Sequence, residues 1–141
     1  MIKIKNYKKI LIVEDEGDMC LILEMILNRN DVSIDHVKRI DAAKDYLRTS
    51  MPDLILLDNG LPDGFGVNFI SFIKRFNTGV KIIMISGKDG AIKDLALSSG
   101  ADLFLLKPFS RYELLSSIDK LLKPNTQNNF TPVDFEDEAK N

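Results

Sequence analysis

Five side chains, widely separated along the chain, have the types and placements that could do chemistry together: Glu14, Asp15, Asp58, Ser86 and Lys107. The acidic pair follows Ile10 to Val13, Asp58 follows Leu54 to Leu57, Ser86 follows Val80 to Ile85, and Lys107 follows Leu103 to Leu106. Carboxylates gathered in one pocket repel, which raises the pKa of at least one unless a cation neutralises them. An all-oxygen donor set suits Mg²⁺, which keeps several waters and is usually bound by one or two carboxylates and a phosphoryl oxygen. A lysine ammonium and a serine hydroxyl are donors for the remaining phosphoryl oxygens. The set therefore points to phosphoryl transfer, in which charge must be balanced from several sides. Asp58 stands alone after its run and is the candidate nucleophile, since carboxylates form aspartyl phosphates.

Such a pocket needs elements that bring the run ends together. The apolar runs Ile10 to Val13, Val32 to Val37, Leu54 to Leu57, Val80 to Ile85 and Leu103 to Leu106 alternate with stretches of helical spacing. Four of the runs are nearly unbroken hydrophobic, as expected of central parallel strands covered on both faces. The helical faces are Met19, Ile22, Leu23 and Ile26; Ala42, Ala43, Tyr46 and Leu47; Phe69, Ile70, Phe72 and Ile73; Ile92, Leu95 and Ala96; and Leu114, Leu115, Ile118, Leu121 and Leu122. This rhythm predicts an α/β fold, a doubly wound (βα)5 parallel sheet that carries its functional groups at the carboxyl ends of the strands. With strand order 2-1-3-4-5, the first and third strands are neighbours, and Glu14, Asp15 and Asp58 converge. Ser110 to Glu113 has capping-box spacing before the last helix, and Pro124 predicts its end.

Composition narrows the classes. The chain has 141 residues, 45% of them hydrophobic, enough for one domain with its own core. Three segments are expected: a basic N-terminal arm over 1–8, the folded domain over 9–124, and an acidic flexible tail over 125–141. A formal net charge of -2 gives no basic face for direct nucleic-acid binding. No apolar stretch approaches the roughly 18 to 20 residues needed to span a bilayer, so a soluble, cytoplasmic protein is expected. The lone Cys20 lies in an apolar run and reads as a small buried hydrophobe in a reducing setting.

The ordered set resembles the receiver domain of two-component response regulators, in the manner of a stand-alone, chemotaxis-type regulator. The resemblance covers Lys9 to Lys123 and rests on Glu14-Asp15, Pro52 to Asp58, Leu61-Pro62-Asp63-Gly64, Ser86-Gly87, Gly100-Ala101-Asp102 and Lys107-Pro108-Phe109. It implies a flavodoxin-like fold and Mg²⁺ held by Glu14, Asp15, Asp58 and the backbone carbonyl of Gly60. It also implies a phosphoryl group on Asp58 contacted by Lys107 and Ser86, and a cis peptide at Lys107-Pro108. The implied phosphodonor is a sensor histidine kinase or a histidine phosphotransfer protein. The implied switch pairs Ser86 with Phe104 and rearranges the fourth helix, fifth strand and fifth helix, which then engages a downstream protein target. A monomer or weak dimer is expected, with self-phosphorylation and autodephosphorylation only and no enzymatic action on an outside substrate.

Some residues depart from that pattern. Asn59 and Gly60 replace the large apolar pair usual after the phosphoacceptor, and with no side chain at Gly60 the mouth of the site is expected to be more open to water. Lys88 adds a charge two residues after Ser86, and an atypical phosphate lifetime follows as an expectation. Ser117 stands where the winged-helix transcription factors of the family carry an arginine. Simpler roles compete at other positions: His36 reads as a strand-edge residue, Asp63 and Asp102 as turn formers, and Phe104 equally as core. Two rivals share the fold class or the chemistry. A haloacid-dehalogenase-like phosphatase needs a second aspartate where Gly60 stands, and a flavodoxin-like cofactor binder would not place Glu14-Asp15-Glu16 at its phosphate loop. The nearest alternative is a pseudo-receiver, an interaction module that is never phosphorylated.

Overall fold

The computed structural model describes residues 7–88 and 90–122. Strand β1 (Lys8–Val13) is followed by α1 (Gly17–Leu27), β2 (Val32–Val37), α2 (Ile40–Thr49) and β3 (Leu54–Asp58). A small antiparallel hairpin of Gly60–Leu61 and Gly64–Phe65 then leads through a 3-10 turn, Gly66–Phe69, into α3 (Ile70–Phe76). The chain continues as β4 (Lys81–Ser86), α4 (Ala91–Ser99), β5 (Leu103–Leu106) and α5 (Arg111–Leu122). The five main strands are parallel and lie in the order 2-1-3-4-5.

Alternation along each strand builds a core on either side of this sheet. Leu11, Val13, Ile55, Leu57, Ile82 and Met84 face Ala43 and Leu47 of α2, Ile70 and Ile73 of α3 and Ala96 of α4. Ile10, Ile12, Leu54, Leu56, Ile83 and Ile85 face Leu23 and Leu27 of α1 and Leu114 and Ile118 of α5. All of β3 is buried, which explains its unbroken hydrophobic run. Each fully buried leucine or isoleucine contributes about 1.5–3 kcal/mol relative to an exposed one. Edge strand β2 alternates instead, with Ser33 and Asp35 exposed.

Helix ends follow local chemistry. The Ser110 N–H donates to Glu113 Oε1 at 2.8 Å and the Glu113 N–H to Ser110 Oγ at 3.0 Å, the reciprocal capping box that opens α5. Gly100 closes α4 at φ 121°, a left-handed conformation that favours glycine, with its N–H directed to Ala96 and Leu97 carbonyls. Two helical faces differ from expectation. In α1 the buried residues are Cys20, Leu23 and Leu27, while Ile22 is exposed, and in α4 Leu95 is exposed and Ala96 buried. Both segments are apolar on several sides, so more than one phase of the helical repeat fits the sequence, and docking on the sheet selects one. The strand begins at Lys8, inside the expected basic arm. The rest of that arm before Tyr7, the Pro124 stop and the acidic tail lie outside the described residues.

Candidate functional site

Register places the site. Val13 pairs with Leu57, and Asp58 with Ile85, so Glu14, Asp58 and Ser86 emerge together at the carboxyl edge of three adjacent strands. The Glu14 N–H donates to the Val37 carbonyl at 3.1 Å, carrying the β1–β2 ladder one step further. The Lys107 N–H donates to the Ser86 carbonyl at 2.9 Å, tying the end of β5 to the end of β4. The Lys107-Pro108 peptide is cis.

Glu14, Asp15 and Asp58 each present a carboxylate oxygen within 4.8 Å of the others. Glu14 and Asp58 are buried and Asp15 is exposed, so the cluster opens to solvent on one side. Lys107 Nζ lies 2.8 Å from Asp58 Oδ1 and 3.4 Å from Glu14 Oε1. The other Asp58 oxygen, Oδ2, accepts from the Gly60 N–H at 3.0 Å. The buried Ser86 hydroxyl accepts from the Lys88 N–H at 3.0 Å.

The electrostatics are those of crowded carboxylates that could hold a cation. Burial, and after it the charge of Asp58, pushes the Glu14 carboxyl above its ordinary value, against the Glu16 N–H and Lys107. Burial alone would lower Lys107, but the hydrogen bond from it to Asp58 and the charges of Asp58 and Glu14 outweigh this and hold the ammonium more firmly protonated. An oxygen-only cluster that is partly desolvated, short of positive charge and open on one side fits a hydrated hard divalent ion.

Gly60 is exposed, and a Cβ there would meet Asp58 Oδ2 at 3.8 Å, ordinary contact. Asn59, by contrast, is buried and turned inward: its Oδ1 accepts from the Val67 N–H at 3.0 Å and its carbonyl from the Gly66 N–H at 2.8 Å. It pins the 3-10 turn to the segment that follows Asp58. Phe104 is partly buried and packs with the core on the α2–α3 side of the sheet. Ser117 donates its hydroxyl to the Glu113 carbonyl at 2.8 Å, one turn back along α5.

Sequence reasoning missed two supports of the site. A Cβ at Gly66 would lie 2.1 Å from the Asp58 carbonyl oxygen, so only glycine fits there. The Gly-x-Gly spacing of Gly64 and Gly66 was the available signal. Asp63 does more than turn the chain: its Oδ1 accepts from the Ile40 N–H at 2.8 Å and its Oδ2 from the Asp41 N–H at 3.0 Å. It therefore caps α2, whose own N-cap residue Arg39 supplies no side-chain bond. Asp102 Oδ2 likewise accepts from the Ile82 N–H at 2.8 Å and from Lys74 Nζ at 3.2 Å.

Comparison with known proteins agrees with this geometry. The family model described as the response regulator receiver domain matches residues 10–119. The phosphate regulon transcriptional regulatory protein PhoB of Escherichia coli (strain K12) is 33% identical over 120 residues, covering 82% of this chain and 52% of that protein. The chain thus spans about half the length of the curated relatives it matches. Among solved structures, a CheY-like response regulator receiver domain protein from Methanospirillum hungatei JF-1 is similar with a TM-score of 0.77 at 26% identity, covering 87% of this chain and 98% of that one. The beryllofluoride-activated NtrC4 receiver domain dimer is similar with a TM-score of 0.75 at 33% identity, covering 80% and 94%. Among the described residues no helix is long and apolar enough to cross a membrane. On its fold, its acidic pocket and this match over most of its length, the chain belongs to the response regulator receiver domain family.

Proposed function

We propose that the domain is a working phospho-receiver in which Asp58 accepts a phosphoryl group from a phosphohistidine of a sensor kinase or phosphotransfer protein. The observation that carries this reading is the Lys107 ammonium 2.8 Å from Asp58 Oδ1, with Glu14 and Asp15 oxygens clustered beside the same carboxylate. Glu14, Asp15, Asp58 and the Gly60 carbonyl would hold Mg²⁺, whose charge would offset that of the incoming phosphoryl oxygens. An Asp58 carboxylate oxygen attacks phosphorus as the phosphorus–nitrogen bond to the donor imidazole breaks, and that imidazole leaves with the electron pair. Lys107 then balances one phosphoryl oxygen and Ser86, turning its hydroxyl from the Lys88 N–H, donates to another.

The output is a surface and not a reaction on an outside substrate. Leu95 and Leu97 of α4, Leu106 of β5 and Tyr112 of α5 are exposed on the elements that the switch would rearrange. Phosphate adds about −1.5 to −2 charge, and couplings of about 1–3 kcal/mol bias an existing equilibrium between forms of that surface. Phe104, partly buried in β5, is the side chain proposed to follow Ser86. A downstream protein is the proposed partner, bound by a monomer or weak dimer. Gly60 and Lys88, both exposed near the site, are proposed to set the phosphate lifetime.

Fluorine NMR with beryllofluoride tests the pocket. A bound resonance that requires Mg²⁺ and vanishes in Asp58→Asn is expected. Absence of any bound resonance in the wild type would leave the pseudo-receiver reading in its place.

A further inference from the structure

Two side chains that the phosphoryl chemistry does not use meet behind the acidic pair. His36 comes from β2 and Cys20 from α1, and both reach the backbone carbonyl oxygen of Glu14: Nε2 lies 2.8 Å from it and Sγ 3.4 Å. Nε2 and Sγ are themselves 2.8 Å apart. A carbonyl oxygen only accepts, so Nε2 must carry the hydrogen. A ring nitrogen that carries hydrogen cannot accept from the thiol, so the Cys20 S–H is also directed to the carbonyl, and the sulfur takes a share of the ring N–H. The Cys20 Sγ is buried and its S–H has the Glu14 carbonyl oxygen within reach at 3.4 Å. Two donors on two elements thus converge on one acceptor.

That acceptor has a particular place. The β1–β2 pairing ends at Val13 and Val37, and beyond it the bonds to Glu14 O come from these side chains. The Glu14 carbonyl lies in the planar peptide unit that joins Glu14 to Asp15. Its orientation sets ψ of Glu14 and φ of Asp15, the two rotations that decide how the two carboxylates stand relative to each other. The Glu14 N–H is fixed by Val37 at 3.1 Å, so with the carbonyl held as well the backbone of the pair has little freedom. We propose that His36 and Cys20 are positioning residues for the metal-binding pair, holding the Glu14–Asp15 peptide so that both carboxylates face Asp58. This rests on the metal reading of the pocket given above.

The test uses Mn²⁺ as the probe, its free form followed by electron paramagnetic resonance, with Mg²⁺ as competitor and thermal unfolding of each metal-free protein alongside. His36→Leu is expected to weaken Mn²⁺ binding about tenfold or more, the usual effect of removing a hydrogen bond that orients a metal ligand. His36→Gln, which keeps an N–H donor, is expected to recover most of the loss. Tyr46→Phe removes the 2.7 Å bond to Asp35 between α2 and β2 and serves as the control, with an altered Tm and unaltered affinity. Affinity unchanged in a folded His36→Leu protein overturns the proposal, as does a loss that glutamine does not recover. Should His36→Leu not fold, Cys20→Ala takes its place: a smaller loss of affinity, recovered in Cys20→Ser, supports the proposal, and an unchanged affinity overturns it. A wild type that binds no Mn²⁺ fails at the metal reading itself and takes this inference with it, an outcome distinct from equal binding by wild type and variants.

Discussion

At the scale of single residues, the site depends on atoms that are absent as much as on those present. Gly66 lets the 3-10 turn pass against the Asp58 carbonyl, where a Cβ would stand 2.1 Å away. Gly66→Ala must move either that turn or the end of β3, and is expected to cost about 2 kcal/mol or more and to weaken beryllofluoride binding. Chemical denaturation paired with a beryllofluoride titration measures both, and an alanine variant as stable and as competent as the wild type would contradict the close approach. Glu14 gives a pH test. Because its folded pKa is raised, the metal-free folded state holds a proton that the unfolded chain has released. Metal-free stability therefore falls as pH rises from the ordinary carboxylate value through the raised one, and stays lower above it. A divalent ion relieves the same repulsion but competes with that proton. The Tm increase caused by Mg²⁺ should thus be larger near about pH 7 than near about pH 5, and Glu14→Gln should remove the difference. Equal increases at both values would contradict it.

At the scale of elements, one carboxylate links the site loop to a helix across the fold. Partial burial raises the Asp63 carboxyl, but the Ile40 and Asp41 N–H groups and Arg39 outweigh that and hold it below its usual value. A depressed carboxyl stabilises the fold above its unfolded pKa, and that contribution is lost as pH falls through the folded value. Asp63→Ala is expected to lower Tm at neutral pH and to flatten the decline below about pH 4, measured by unfolding at a series of pH values. An unchanged acid profile would show that α2 is capped by something else. This contact illustrates what the sequence does and does not carry. Four of the five strands were legible because buried parallel strands leave nearly unbroken apolar runs such as Leu54 to Leu57, β2 only as a weaker mixed run, and the site residues because they end those runs. Asp63 was legible only as a turn former, since its partners lie 22 and 23 residues away and depend on how the hairpin folds back. Asn59 was legible only as a departure from the usual apolar residue, and its side chain is turned into the protein, a direction that residue type alone does not give. The face of α1 was off in phase for the same kind of reason: Ile22 and Leu23 are equally apolar, and only docking on the sheet separates them.

At the scale of the whole molecule, the carboxyl edge of the sheet carries the acidic pocket, and α4, β5 and α5 carry the proposed output surface. In the proposed switch, events at Asp58 reach α4, β5 and α5 through Ser86 at the end of β4, whose carbonyl accepts the Lys107 N–H at the end of β5. On addition of beryllofluoride and Mg²⁺, backbone NMR shifts should therefore extend from the site loops along Ala91–Ser99, Leu103–Leu106 and Arg111–Leu122. Shifts confined to the site loops would mean binding without switching. The central claim, that Asp58 carries phosphate, is tested most directly by incubating the protein with acetyl phosphate and Mg²⁺ and measuring the intact mass. One added phosphoryl group, stable in acid, released by hydroxylamine and absent from Asp58→Ala, is the expected result. An unmodified wild-type mass, or an adduct that persists in Asp58→Ala, would contradict it.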